Sequence, residues 1–347
     1  MFGMYRSILA LMVVASHLGG IPYTGTYAVF GFYILSGYLM TLIMQVNYGY
    51  TKTGLVKYGI NRFLRIYPIY WTSISFSAVL ILALGEEYTS HYHETMYLPQ
   101  NVIDVCKNIF LFFPSHDKPR LTPPAWALTV EIFYYILIGL GISKDRKVVL
   151  YWLGLSMFYH ILALALKANW DHRYFSIPAA SLPFATGALI YHYKQNLLKC
   201  LNQIIVTANP YMPFLIFLSI LINCYVGYIS GKSHTLFFYT NYLLCTIMVV
   251  ILSERKALPL VSKKLDNWLG DFSYPTYLFH YQAGLLVVAI MDKTGFPHIR
   301  PDISIMLTSI PLILVFSWFI TIAIERPIEL IRNLIKKSVA TSKFIGS

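Results

Sequence analysis

Ile303-Ser304-Ile305-Met306-Leu307-Thr308-Ser309-Ile310-Pro311-Leu312-Ile313-Leu314-Val315-Phe316-Ser317-Trp318-Phe319-Ile320-Thr321-Ile322-Ala323-Ile324 contains no ionisable side chain from end to end. A helix that crosses a hydrocarbon core about 30 Å thick needs about 20 such residues. Comparable apolar runs recur along the whole chain, at 4–20, 27–46, 67–85, 125–142, 148–166, 174–193, 211–229, 235–252 and 272–291. The fold class they predict is all-α, a polytopic membrane bundle of about ten transmembrane helices. Composition agrees: of 347 residues 57% are hydrophobic and 12% charged, with a mean hydropathy of +0.58. Soluble domains carry about a quarter charged residues. The run at 4–20 begins almost at Met1 and carries Arg6, two features it shares with signal peptides. No small-residue cleavage site follows it and more membrane does, so it reads as the first span.

The net charge of +12 does not point to nucleic acid, because the basic residues lie in short loops between apolar runs. With the N-terminus inside, 19 of the 27 Lys and Arg residues fall on the cytoplasmic side and 8 outside. The positive-inside rule then makes both termini cytoplasmic. The basic loops also suit anionic membrane lipid as a partner. Residues 1–330 read as one membrane domain, followed by a short basic cytoplasmic tail over 331–347 that includes Arg332, Lys336, Lys337 and Lys343. Segment 86–124 becomes the longest external loop, and its apolar stretch from Val102 to Phe113 is too short to span. An interfacial or re-entrant helix is expected there. His91 and His93 beside Glu86, Glu87 and Glu94 read as a solvated polar loop rather than a metal site. Cys106, Cys200, Cys224 and Cys245 form no C-x-x-C pair, which argues against a metal site or a disulfide framework. Oligomeric state is not readable.

Ionisable residues inside spans are costly and mark functional sites. Arg6 and His17 are eleven residues apart, which sets them on one helical face about 16 Å apart along the axis. They read either as a functional pair or as a snorkelling arginine with a packing histidine. Arg62 and Arg65 share a face at i,i+3 and precede Tyr67-Pro68-Ile69-Tyr70-Trp71. They form either a positive-inside anchor or a clamp for a phosphorylated ligand, since guanidinium matches phosphate in bidentate geometry. In Pro123-Pro124-Ala125-Trp126-Ala127-Leu128-Thr129-Val130-Glu131 the prolines open a helix and Glu131 falls about two turns in. Its depth resembles that of His17, so a His–Glu pair is expected, whether catalytic or structural. Ser273-Tyr274-Pro275-Thr276-Tyr277-Leu278-Phe279-His280 places His280 near mid-membrane, with Tyr277 one turn before it. His280 is read as a bundle histidine satisfied by its neighbours or as part of the chemistry.

Taken in order, Arg6 and His17, Gly31-Phe32-Tyr33-Ile34-Leu35-Ser36-Gly37-Tyr38, Arg62 and Arg65, Trp126 to Glu131, Ser273 to His280 and Glu325-Arg326-Pro327 resemble the acyltransferase-3 family of membrane O-acyltransferases. The resemblance covers nearly the whole chain. It implies a ten-helix enzyme of the bacterial inner membrane that uses cytoplasmic acetyl-CoA, as substrate and not as a resident cofactor, to acylate a carbohydrate outside the cytoplasm. Lipopolysaccharide O-antigen and other surface polysaccharides are the implied acceptors. It also implies His17 as the catalytic histidine and Arg62 and Arg65 as coenzyme A ligands. The family's Trp-Ser-Leu-x-x-Glu departs here to Trp126-Ala127-Leu128-Thr129-Val130-Glu131; if that serine makes a needed hydrogen bond, Thr129 has to replace it. No hydrolase-like domain accompanies the membrane domain, so transfer is expected to be direct.

On this reading His17 acts as general base toward a hydroxyl, and Glu131 orients its ring; a ping-pong route through acyl-His17 is the alternative. Arg6, Arg62 and Arg65 hold the donor's phosphates, while Ser36, Tyr67, Trp126, Tyr277 and His280 contact substrate or line its path. No metal is called for. The alternative class is a secondary transporter of a glycan, lipid or coenzyme, which would also bury Arg, His and Glu. No inverted repeat of the kind common in transporters is present in the sequence.

Overall fold

A computed structural model describes residues 2–114, 118–205, 207–259, 261–296 and 301–345, with side chains through 335. The side chains of Lys336, Lys337 and Lys343 in the basic tail lie outside the described residues. Every regular element among the described residues is helical. In chain order these are α1 (Gly3–His17), α2 (Thr24–Ile43), α3 (Lys52–Leu84), α4 (Glu86–Tyr92), α5 (Val102–Phe110), α6 (Ala125–Leu140) and α7 (Arg146–Ala165). They continue as α8 (Trp170–Tyr174), α9 (Ile177–Asn202), α10 (Met212–Ile229), α11 (Leu236–Glu254), α12 (Lys263–Thr294), α13 (Ile303–Ile320) and α14 (Arg326–Ile345). Single π-helical turns extend α2 over Met44–Tyr48 and join α13 to α14 over Thr321–Glu325.

Each apolar run falls on a helix, and six stretches are long and apolar enough to cross a membrane. They are Thr24–Tyr48, Lys52–Leu84, Arg146–Ala165, Met212–Ile229, Leu236–Glu254 and Ile303–Ile335. The protein is an all-α, multi-pass membrane bundle. Two helices start well before their apolar runs. α3 begins at Lys52, not near residue 67, because Thr51 caps it by accepting from the Gly54 amide at 3.1 Å. α12 begins at Lys263, where Ser262 accepts from the Leu265 amide at 3.1 Å. Of the charges in these segments, Arg62, Arg65 and Asp266 turn toward the bundle interior, while Lys52, Lys263 and Lys264 are exposed.

The centre of the bundle is α1, α2, α9 and α12. α1 and α12 run parallel at a constant offset. The Gly3 and Met4 amides donate to the Asp266 carboxylate at 3.2 and 2.9 Å, and Ser7 Oγ donates to the Leu269 carbonyl at 2.5 Å. α2 and α9 cross at glycines. A Cβ on Gly187 would sit 2.2 Å from the Ile34 carbonyl oxygen, and one on Gly37 2.3 Å from that of Phe184. Small residues at such a crossing let two backbones approach without the bulk of side chains. Gly187→Ala must push α2 from α9. Its unfolding temperature in detergent should fall, for an overpacking cost of about 1–3 kcal/mol. An unchanged melting curve would show that the crossing is looser than described.

Candidate active site

The outer end of the site is built where α1 stops. His17 is the last residue of α1, and its Nδ1 lies 2.9 Å from Nε2 of His280, which is fully buried in α12. The two rings stack at 5.2 Å. His280 Nδ1 is 2.8 Å from the Tyr277 carbonyl oxygen, which only accepts, so the His280 proton is on Nδ1. His280 Nε2 is then an acceptor and His17 Nδ1 the donor. The network therefore leaves His17 Nε2 with its lone pair free. His17 lines a cavity of about 710 Å³ together with His93, Glu94, Arg120, Trp126 and Tyr281. The Lys118 ammonium, 2.5 Å from Glu94, holds that carboxyl below the usual carboxylate range.

A second cavity, of about 850 Å³, lies along the same helices toward their other ends. Arg6, Arg62, Arg65, Ser36, Glu131 and Tyr274 line it. Arg6 lies over bare Gly270, where a Cβ would be 2.5 Å from its Nη2. Arg62 donates from Nη2 to Asn61 Oδ1 at 2.6 Å, and Arg65 pairs with Glu325 while its guanidinium sits 5.8 Å over the Tyr274 ring. The Nε atoms of Arg6 and Arg62 are buried and have no hydrogen-bond partner. Arg332 joins the cluster from α14, donating from Nε to the same Asn61 Oδ1 at 3.3 Å. Several buried guanidiniums around one cavity, two of them short of acceptors, suit an anionic ligand with many oxygens.

The expected His17–Glu131 pair does not form. Glu131 accepts from Ser36 Oγ at 2.6 Å and from the Tyr135 hydroxyl, and it faces the arginine cavity. The reason is helix depth. α6 starts at Ala125, beside the outer cavity that Pro123 and Pro124 line. Six residues into α6 carry Glu131 about 9 Å away from that level. His17, at the very end of α1, stays there. Its partner comes from α12, where His280 occupies the same offset that joins Gly3 to Asp266.

Three other expected contacts take different places. Trp126 lines the outer cavity with its ring edge-on to Phe175 at 4.7 Å. Tyr277 lines both cavities. Tyr67 lines neither: its hydroxyl donates to the Phe110 carbonyl at 2.9 Å. It belongs to an anchor for α5. Tyr70 donates to the Asn108 carbonyl at 2.6 Å and Trp71 Nε1 to that of Ile109 at 2.9 Å. Thr129 donates to the Leu111 carbonyl at 2.9 Å and accepts from the Phe113 amide at 3.0 Å. Four carbonyls at the end of a short helix are thus satisfied by side chains. They meet α3 about 20 Å from its Leu84 end. In a bilayer that depth demands internal partners. The Thr129 hydroxyl thus holds this turn, while Glu131 takes its hydrogen bonds from Ser36 and Tyr135. Asn61, Arg332, His93 and Tyr281 went unremarked as site residues in the sequence, because only the fold brings His93 and Tyr281 to the outer cavity and Asn61 and Arg332 to the arginine cluster.

The chain belongs to the acyltransferase-3 family: the family profile described as an acyltransferase domain matches residues 4–324. It is a membrane acyltransferase. Neither a curated protein nor a solved structure matches it.

Thr129→Val removes the hydroxyl and leaves a buried amide and carbonyl unsatisfied, at a cost of about 1–3 kcal/mol. Cys106, exposed on α5, should then react faster with a maleimide, while Thr129→Ser keeps the wild-type rate. Equal rates in all three would remove Thr129 from the anchor.

Proposed function

We propose that the protein is an O-acetyltransferase of the bacterial inner membrane, with both termini cytoplasmic. It takes acetyl from cytoplasmic acetyl-CoA and passes it to a hydroxyl of an extracytoplasmic glycan, such as lipopolysaccharide O-antigen or another surface polysaccharide. The observation that carries this reading is the placing of two cavities end to end along α1 and α12. One is lined by arginines, and the other holds a histidine with a free ring nitrogen.

The arginine cavity suits the donor. Arg6, Arg62 and Arg65 offer bidentate donors to phosphate oxygens, and the buried Nε atoms of Arg6 and Arg62 gain acceptors when an anion binds. Asn61 holds Arg62 and Arg332 in common, and Glu325 holds Arg65, so the cluster is preorganised. Glu131 and Ser36 set the wall opposite and offset part of the positive charge. The pantetheine arm is thin enough to carry the thioester along the bundle toward His17.

In the outer cavity a sugar hydroxyl approaches His17 Nε2. His17 removes the hydroxyl proton as the oxygen bonds to the thioester carbonyl carbon. The C–S bond breaks, the O-acetyl ester forms, and coenzyme A leaves with the proton that His17 gives back. His280, through its Nε2, stabilises the imidazolium that forms and keeps the tautomer, the part that Asp plays in a Ser-His-Asp triad. His280 is a positioning residue, because His17 lies between it and the substrate. Trp126 offers a stacking face for a sugar ring.

Transfer of radiolabelled acetyl by the purified protein tests the reading, since a transporter forms no covalent product. His17→Ala should lower transfer by about 10²-fold or more. Activity within about threefold of wild type would exclude general-base catalysis by His17. Arg65→Lys keeps the charge but loses the fork, so it should raise KM for acetyl-CoA and leave kcat close to wild type. Donor KM unchanged in both Arg62→Ala and Arg65→Ala would move the donor site elsewhere. His280→Ala should lower kcat with little change in donor KM, and His280→Gln, which retains an acceptor for His17 Nδ1, should recover part of it. Equal kcat in the two variants would deny His280 its role.

A further inference from the structure

The cavities are adjacent but separate, and among the described residues only Val29 and Tyr277 line both of them. A thioester carried from the arginines to His17 must pass these two side chains. Val29 is short and β-branched, with one stiff torsion, and it has no reach to open or close a passage. Tyr277 has the length. Its ring stands edge-on to Phe32 at 6.1 Å on the donor side and lies 6.4 Å from the His280 ring on the other. Its hydroxyl donates to the Pro124 carbonyl at 3.0 Å.

We propose that Tyr277 is the partition between donor and acceptor cavities, latched by its hydroxyl to the Pro124 carbonyl and released when the acceptor cavity fills. The proposal rests on the donor-and-acceptor reading above and adds to it a device that couples the two substrates. Pro123 and Pro124 line the acceptor cavity themselves, so a ligand seated there bears on the peptide that holds the latch. Motion is confined to the side chain. The Tyr277 carbonyl sets the tautomer of His280, so a backbone shift would disorder the base, whereas a turn about χ1 would not. The latch is one hydrogen bond between neutral groups, strong enough to hold a resting state and weak enough to yield to a bound sugar.

The partition answers a chemical hazard. A thioester standing beside His17 without an acceptor meets water instead. The water oxygen would bond to the acetyl carbon, the C–S bond would break, and acetate and coenzyme A would be released. Keeping the thioester below Tyr277 until a hydroxyl is in place suppresses this loss.

Two measurements test it. Tyr277→Phe keeps the ring and removes the latch, so release of coenzyme A without acceptor should rise, up to about tenfold for one lost hydrogen bond. Unchanged release in a preparation that still acetylates its acceptor would overturn the latch. The second measurement is independent of any acyl chemistry. Ser16, on the acceptor cavity, is changed to Cys in a chain whose four native cysteines are replaced. An anionic, membrane-impermeant methanethiosulfonate is applied to proteoliposomes from the arginine side. With Tyr277 in place Ser16→Cys should stay unlabelled from that side, and with Tyr277→Ala it should be labelled. Labelling in both, or in neither, would show that Tyr277 is not the barrier. The expected labelling in a protein that transfers no acetyl would support the partition and count against the acetyl-transfer reading instead.

Discussion

The constraint from which the site follows is the parallel pairing of α1 with α12. A carboxylate, Asp266, takes the two free amides at the start of α1, and at the far end an imidazole, His280, takes the proton of the last residue of α1. Between these points the helices keep one offset, so Arg6 falls opposite Gly270 and His17 opposite His280. The spacing of guanidinium and imidazole along α1 is thereby matched by a bare backbone and a hydrogen-bonding ring on α12. Shifting either helix by one residue would place a Cβ against Arg6 and break the His17–His280 bond together. Other parts of the site are arranged around this pair: α3 brings Arg62 and Arg65, α6 brings Glu131, and α14 closes the cluster with Arg332.

Burying several arginines is costly unless each finds a partner. Here the compensation is partial. Glu325 serves Arg65, and Asn61 Oδ1 is shared by Arg62 and Arg332. The nitrogens left without acceptors face the interior, where a phosphate-bearing ligand would complete them. That shortfall is what supports the proposal of an anionic donor at this cluster.

The helical, membrane-spanning character was legible in the apolar runs, and the ordered motifs pointed to the family that the profile match then showed. What the runs could not disclose was where helices begin in charged segments. Lys52 and Lys57 read as loop residues because charge in a span is rare, yet Thr51 caps a helix there and tertiary contacts bury its inner face. Depth was the other hidden quantity. Glu131 and His17 looked level when counted from apolar boundaries, but α1 ends at His17 while α6 only starts at Ala125. His280 was the partner, and its candidacy lay in the motif without any signal of which ring it would meet. The anchor on α5 was equally hidden. Tyr67, Tyr70, Trp71 and Thr129 are far apart in sequence from the carbonyls they hold, and nothing local marks those carbonyls as needing donors.

The central claim is that donor and acceptor reach one histidine from opposite faces of the membrane. The direct measurement supplies each substrate to one face of proteoliposomes of defined orientation and follows labelled acetyl into the glycan. Product should form only when acetyl-CoA is on the face that carries α14 and the glycan is on the other. Product formed with both substrates confined to a single face would contradict the account.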